Sequence, residues 1–142
     1  MFLLHLAATL YMTGLIWFVQ LVHYPLFSKV GPEGFAAYER LHQRWTAWAV
    51  MPVMLIEAIT AWILIYARPA AIPDWSAWTG LGLLVVVWAV TLLCSVPQHK
   101  VLVKGFDERA HNLLVSTNWI RTMGWTLRSA LLIWMAARMY QE

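Results

Sequence analysis

Apolar positions fill four stretches of the chain, Phe2–Val22, Thr46–Ala67, Trp78–Val96 and Ile120–Ala137, and polar residues gather between them. Each stretch is close to the roughly 20 residues that a helix needs to cross the hydrocarbon core of a bilayer. They are apolar all round and lack the alternation a membrane strand requires. The pattern therefore predicts an all-α chain, a four-helix transmembrane bundle with spans at about 2–24, 46–67, 77–97 and 117–138. Residues 1–142 are taken up almost wholly by these spans, as a single integral membrane domain. The first stretch lacks a basic leader and a small-x-small cleavage site, so it reads as a retained span.

The polar connections have their own grammar. Proline disfavours helix in the residue before it, so Tyr24-Pro25 is expected to close the first span and Pro97 to mark the inner end of the third. Gly31-Pro32-Glu33-Gly34 is a turn into a helix. From there Phe35, Tyr38, Leu41, Trp45, Trp48 and Ala49 recur at helical spacing, predicting a short interfacial helix before span two. Arg68-Pro69 through Pro73-Asp74 is a turn, and Gly105-Phe106-Asp107 leads into the last helix.

Composition fits this picture: 61% of residues are hydrophobic and 12% charged, about half the charge of a soluble domain. The net charge of +3 forms no basic stripe, which argues against a nucleic-acid partner. Lys29, Arg40 and Arg44 lie in the first connection and Lys100, Lys104 and Arg109 in the third. Positive residues stay cytoplasmic, so these connections are expected inside and both termini outside, in a multi-pass protein of the bacterial inner membrane. Trp45, Trp48 and Trp119 suit the inner aromatic belt, and Trp75, Trp78 and Tyr140 the outer one. Span faces rich in Leu, Val and Ala suit lipid or a second protomer of a homo-oligomer equally.

The candidate chemistry falls at one face. His23 ends span one, His42 precedes span two, His99 follows span three and His111 precedes span four, whereas His5 lies at the other face. Imidazoles from several helices of a bundle are a common way to hold a metal or haem, although histidines are also comfortable at an interface. Glu39-Arg-Leu-His42 and Glu108-Arg-Ala-His111 each set a carboxylate and an imidazole on one helix face. The six side chains His23, His42, His99, His111, Glu39 and Glu108 form a candidate ligand set for iron, copper or zinc. Asn118 and Arg121, just beyond His111, are candidates to orient a substrate, with snorkelling to lipid phosphate the alternative for Arg121.

Two charges lie deeper. Glu57 is about twelve residues into span two, roughly 18 Å from the inner surface, and Arg128 is at a similar depth in span four. Unpaired charges are costly in hydrocarbon, so an intramembrane Glu57–Arg128 ion pair is expected. Span one carries a polar stripe, His5, Thr9, Thr13 and Gln20, which suits helix-to-helix hydrogen bonds. Trp17, Trp88 and Trp125 are too deep for a belt and either pack the core or line a pocket.

His23-Tyr24-Pro25-Leu26-Phe27, with Phe35, Tyr38 and His42, resembles the first half of the anthrone-oxygenase-like family of small four-span membrane proteins. Val96-Pro97-Gln98-His99, Leu102, Gly105 and Asn118-Trp119-Ile120-Arg121-Thr122, with Trp125 and Arg128, resemble the second half. The resemblance implies the four-helix membrane fold and oxygenation of an apolar aromatic substrate. Members often carry asparagine where His99 stands, a departure towards a metal-binding variant. Trp17-Phe18 and Tyr24-Pro25-Leu26-Phe27 also look like part of the first helix of the haem-binding protoporphyrinogen oxidases, with His5 near an axial ligand's place but more than a turn too far from Trp17. The expected function is a metal-dependent membrane oxidoreductase, an oxygenase of a lipophilic or aromatic substrate. The alternatives are a haem b or quinone-binding redox protein and a non-enzymatic membrane subunit or carrier.

Overall fold

Long apolar runs give long helices, and the computed structural model, which describes residues 1–141, contains no strand among them. The first long helix, Phe2–Lys29, comprises α1 (Phe2–Phe18), a π-helical turn (Val19–His23), α2 (Tyr24–Leu26) and a short 3₁₀ turn (Phe27–Lys29). The second is α3 (Pro32–Tyr66). The third, Asp74–Leu102, comprises α4 (Asp74–Val90), a second π-helical turn (Thr91–Ser95) and α5 (Val96–Leu102). The fourth is α6 (Glu108–Met139).

Three of these helices are long and apolar enough to cross a membrane. α6 has the length, 32 residues, but not the apolarity. Its buried face, which includes His111, Asn118, Arg121, Thr122, Arg128 and Ser129, is polar, while Ile120, Leu127 and Ile133 point outward. The polar stripe faces the other helices and lowers the mean around the whole cylinder.

Two expected helix ends are corrected. Neither Tyr24-Pro25 nor Val96-Pro97 stops its helix, because a π-helical turn precedes each. Proline cannot donate to the carbonyl four residues back and its ring crowds that carbonyl. Widening the preceding turn resolves this: the Tyr24 N–H bonds Val19 O and the Val96 N–H bonds Thr91 O, each five residues back. The separate interfacial helix is corrected as well. Its residues are the first turns of α3, which runs unbroken through Pro52. Gly31 and Pro32 start α3, with the proline at a first-turn position where no N–H is needed. Asp107 caps α6, its carboxylate accepting from the Ala110 N–H at 2.7 Å.

α1 packs against α3 and α6, and α4 packs against the same two helices. One apolar cluster, including Met12, Phe27, Phe35, Leu102, Leu114 and Trp125, fills the end where His23, His42 and His99 lie. A smaller one, with Phe2, Leu64, Ile72, Leu132 and Met135, fills the other. Polar side chains form the layers between.

A candidate metal centre beside a lipophilic cavity

Three helices deliver the site. The turn that precedes Pro25 carries His23, α3 carries Glu39 and His42 one turn apart, and α5 carries His99. One ligand atom from each of Glu39, His42 and His99 lies within 4.8 Å of the other two. Glu39 is fully buried. Its Oε1 is 2.6 Å from His99 Nδ1 and accepts from Gln43 Nε2 at 3.1 Å. Gln43 also donates to the His99 backbone carbonyl at 2.9 Å, tying α3 to α5. Glu39 Oε2 has no hydrogen-bond partner among the described residues. A buried carboxylate oxygen left without a donor is costly.

His42 Nδ1 is 2.8 Å from His23 Nε2 and 3.1 Å from Thr46 Oγ1. Outer-shell partners of this kind fix the orientation and tautomer of a ligating imidazole and direct its other nitrogen to a metal. The structure thus gives His23 the geometry of a positioning residue for His42. His99 Nε2 meets the Tyr24 hydroxyl at 3.1 Å.

The remaining candidates lie elsewhere. Phe27, fully buried, has its ring centroid 5.0 Å from that of His42 on one side and 6.2 Å from that of His111 on the other. His111 Nε2 donates to the Tyr24 backbone carbonyl at 2.7 Å. It therefore anchors the first helix to α6 and stands apart from the other three histidines. Glu108 is exposed in the first turn of α6, where a carboxylate complements the helix dipole. The second Glu-x-x-His unit does not converge on the first.

Asn118 is fully buried, donates from Nδ2 to Gln20 Oε1 at 2.9 Å and accepts from Arg121 Nη1 at 3.0 Å. Arg121 also reaches Ser95 Oγ at 3.3 Å and lies over the Trp125 ring, 5.4 Å from its centroid. A cavity of about 260 Å³ opens between α3 and the α4–α5 helix, with Tyr24, His42, His99 and Arg121 at its polar end. Arg121 meets the cavity; Asn118 holds Arg121 from behind.

Deeper in the protein, Glu57 and Arg128 form an ion pair with Nη2 3.0 Å from Oε1. Thr9 donates to Glu57 Oε1 at 2.7 Å and the Trp125 indole to Oε2 at 3.0 Å. Arg128 also bonds the Gly80 carbonyl and, at 3.4 Å, His5 Nε2; His5 Nδ1 meets Thr60 Oγ1 at 2.7 Å. His5 is thus enclosed at the far end, away from the other histidines. Trp125 is packed in the core and Trp17 bonds Thr126 Oγ1 at 3.0 Å; neither they nor Trp88 line the cavity.

Gln43, Thr46 and Ser95 carry no motif in the sequence, and Tyr24 enters only as part of the His23-Tyr24-Pro25 stretch. Gln43, four residues beyond Glu39, and Thr46, four beyond His42, were the nearest signal, since positions four apart share a helix face. Comparisons of the chain with family models, curated proteins and solved structures find no match.

Proposed function

We propose that the chain is a four-helix transmembrane bundle of the bacterial inner membrane that holds a transition-metal ion on Glu39, His42 and His99 and acts as an oxidoreductase, an oxygenase of a lipophilic substrate. The observation that carries this reading is the convergence of one ligand atom each from Glu39, His42 and His99 within 4.8 Å of one another, on a buried glutamate whose Oε2 has no hydrogen-bond partner among the described residues. Two imidazoles and one carboxylate are the donor set of the non-haem iron(II) oxygenases; copper and zinc also suit these ligands. Bound there, the ion would supply Lewis-acid or one-electron chemistry to a molecule in the adjoining cavity.

The chain's own residues do the rest. His23 and Thr46 hold the His42 ring, and Gln43 holds Glu39 against α5. Val50 and Met54 add apolar lining to the cavity that His42 and His99 share. A haem fits less well. The nitrogens of His23 and His42 contact each other directly at 2.8 Å, with no gap for a macrocycle. The cavity also lies under the roughly 300 Å³ at which pockets for drug-sized ligands begin. For the membrane, the apolar outward face of α6 supports a fourth span, and the six basic residues of the first and third connections support a cytoplasmic site. The anthrone-oxygenase-like resemblance points to the same reaction class.

Elemental analysis and an absorption spectrum of the purified chain test the proposal. We expect about one Fe, Cu or Zn per chain and no Soret band, since a preformed buried donor set binds stoichiometrically. Glu39→Gln, His42→Ala and His99→Ala should each abolish retention, and His23→Gln should weaken affinity about 10–100-fold as an outer-shell change. His111→Gln should leave the metal content unchanged. Metal-free wild-type protein, or retention that ignores all three ligand substitutions, would sink the metal centre; a Soret band lost with His42→Ala would replace it with haem.

A further inference from the structure

Two buried arginines, Arg121 and Arg128, stand on the same face of α6, seven residues and two turns apart. Arg128 has a carboxylate, Glu57. Arg121 is only 7% exposed yet forms no ion pair among the described residues, and its Nε has no hydrogen-bond partner. Neutral groups, Ser95 Oγ, Asn118 Oδ1 and the nearby Tyr24 hydroxyl, and the Trp125 ring are its polar company. A guanidinium removed from water without a counter-charge is expensive, so a site built this way is suited to an anion that arrives from outside.

The surroundings define that anion. Arg121, Tyr24, Ser95, His42, His99 and Lys100 are among the polar lining of the 260 Å³ cavity, Arg121 being the buried cation, and Val50, Met51 and Met54 are among its apolar lining. Methionines adapt to varied apolar shapes. Ala47, Met51 and Val96 are exposed at its mouth, on a surface of α3 and α5 that faces acyl chains if the helices span the bilayer. We infer that the cavity takes a single-chain amphiphile bearing an oxyanion head, a carboxylate or an enolate or phenolate, with the head on Arg121 and the tail leaving sideways into the bilayer. At about 260 Å³ the cavity is sized for a head and the start of one chain. The inference rests on the membrane placement proposed above and names the substrate class of that same site; it does not depend on the ion.

Photolabelling of the full chain in phosphatidylcholine vesicles, with decanoic acid carrying a mid-chain diazirine, tests it. The label should concentrate at residues 47–54 and 91–96. Excess decanoate should suppress it and decylammonium should not. Arg121→Gln should reduce labelling at least about tenfold, the scale for removing one partner of a buried charge pair. Ala47→Trp, which fills the exposed mouth and leaves Arg121 intact, should do the same by blocking the tail. Label spread evenly over all lipid-facing helices overturns the inference, as does equal competition by decylammonium. Suppression by phosphatidylglycerol vesicles as strong as that by decanoate also overturns it, since bulk lipid would then be the occupant. Metal content measured on the same samples separates the two readings: labelling lost with metal retained, or the reverse, identifies which one fails.

Discussion

Arg128 shows what a single residue demands inside such a protein. Every part of its guanidinium is engaged: Nε and Nη2 with Glu57, Nη1 with the Gly80 carbonyl, and Nη2 also with His5. Glu57 in turn accepts from Thr9 and Trp125. The pair is therefore hydrogen-bonded at both ends, the condition under which a buried ion pair withstands its desolvation. Removing one member is far worse than removing both. Glu57→Gln should destabilise the folded chain by about 3–5 kcal/mol, because it leaves a buried cation without its counter-charge. The double variant Glu57→Gln/Arg128→Met should recover part of that loss, a non-additivity expected of contacting residues. Thermal unfolding of the single and double variants in one detergent measures it. Additive losses would show that the pair contributes nothing as a pair.

At the scale of elements, the two π-helical turns explain why three histidines meet. Each turn precedes an X-Pro step, at Tyr24-Pro25 and Val96-Pro97, and each carries its helix onward to the end where His23 and His99 face α3. Proline alone, read from sequence, signals an ending. Only the hydrogen-bond rearrangement, which no residue type announces, turns it into a continuation. The helical character of the chain and the shared end of His23, His42 and His99 were legible because apolar runs mark helix length and turn residues mark the ends. The exclusion of His111 was not, since it depends on Phe27 standing between two rings. Nor was the exposure of Glu108, whose i, i+3 spacing from His111 matches that of Glu39 from His42. Helix contacts hold a further constraint. A Cβ at Gly124 of α6 would lie 2.6 Å from Val87 Cγ2 of α4, and valine has few rotamers with which to yield. Gly124→Val should therefore separate α4 from α6 and cost about 1–3 kcal/mol, the usual scale of overpacking. A matched Gly124→Val/Val87→Ala chain should regain stability in the same unfolding assay; no recovery would place the strain elsewhere.

Across the whole molecule the question is how a helix lined with His111, Asn118, Arg121 and Arg128 lies relative to lipid. Three helices have the apolarity to span, and α6 does not by composition alone. Its polar residues, however, are met by Gln20, Ser95, Glu57 and the Tyr24 carbonyl of the neighbouring helices, so the partners that bilayer burial requires are supplied from within. Ile120, Met123, Leu127 and Ile133 are exposed on its outward face. On the four-span reading proposed above, such a helix spans only in company: the Phe2–Lys29 helix, α3 and the Asp74–Leu102 helix supply the partners that lipid would not. With four spans the two ends of the chain lie on the same side of the membrane; with three they lie on opposite sides. Single cysteines at Leu3 and Gln141, introduced in a Cys94→Ser chain, distinguish the two by labelling intact cells with a membrane-impermeant maleimide. On the proposed orientation, with the basic first and third connections in the cytoplasm, both positions should label from outside. Labelling of one terminus alone would remove α6 from the bilayer and, with it, the argument that Arg121 is waiting in hydrocarbon for an anion.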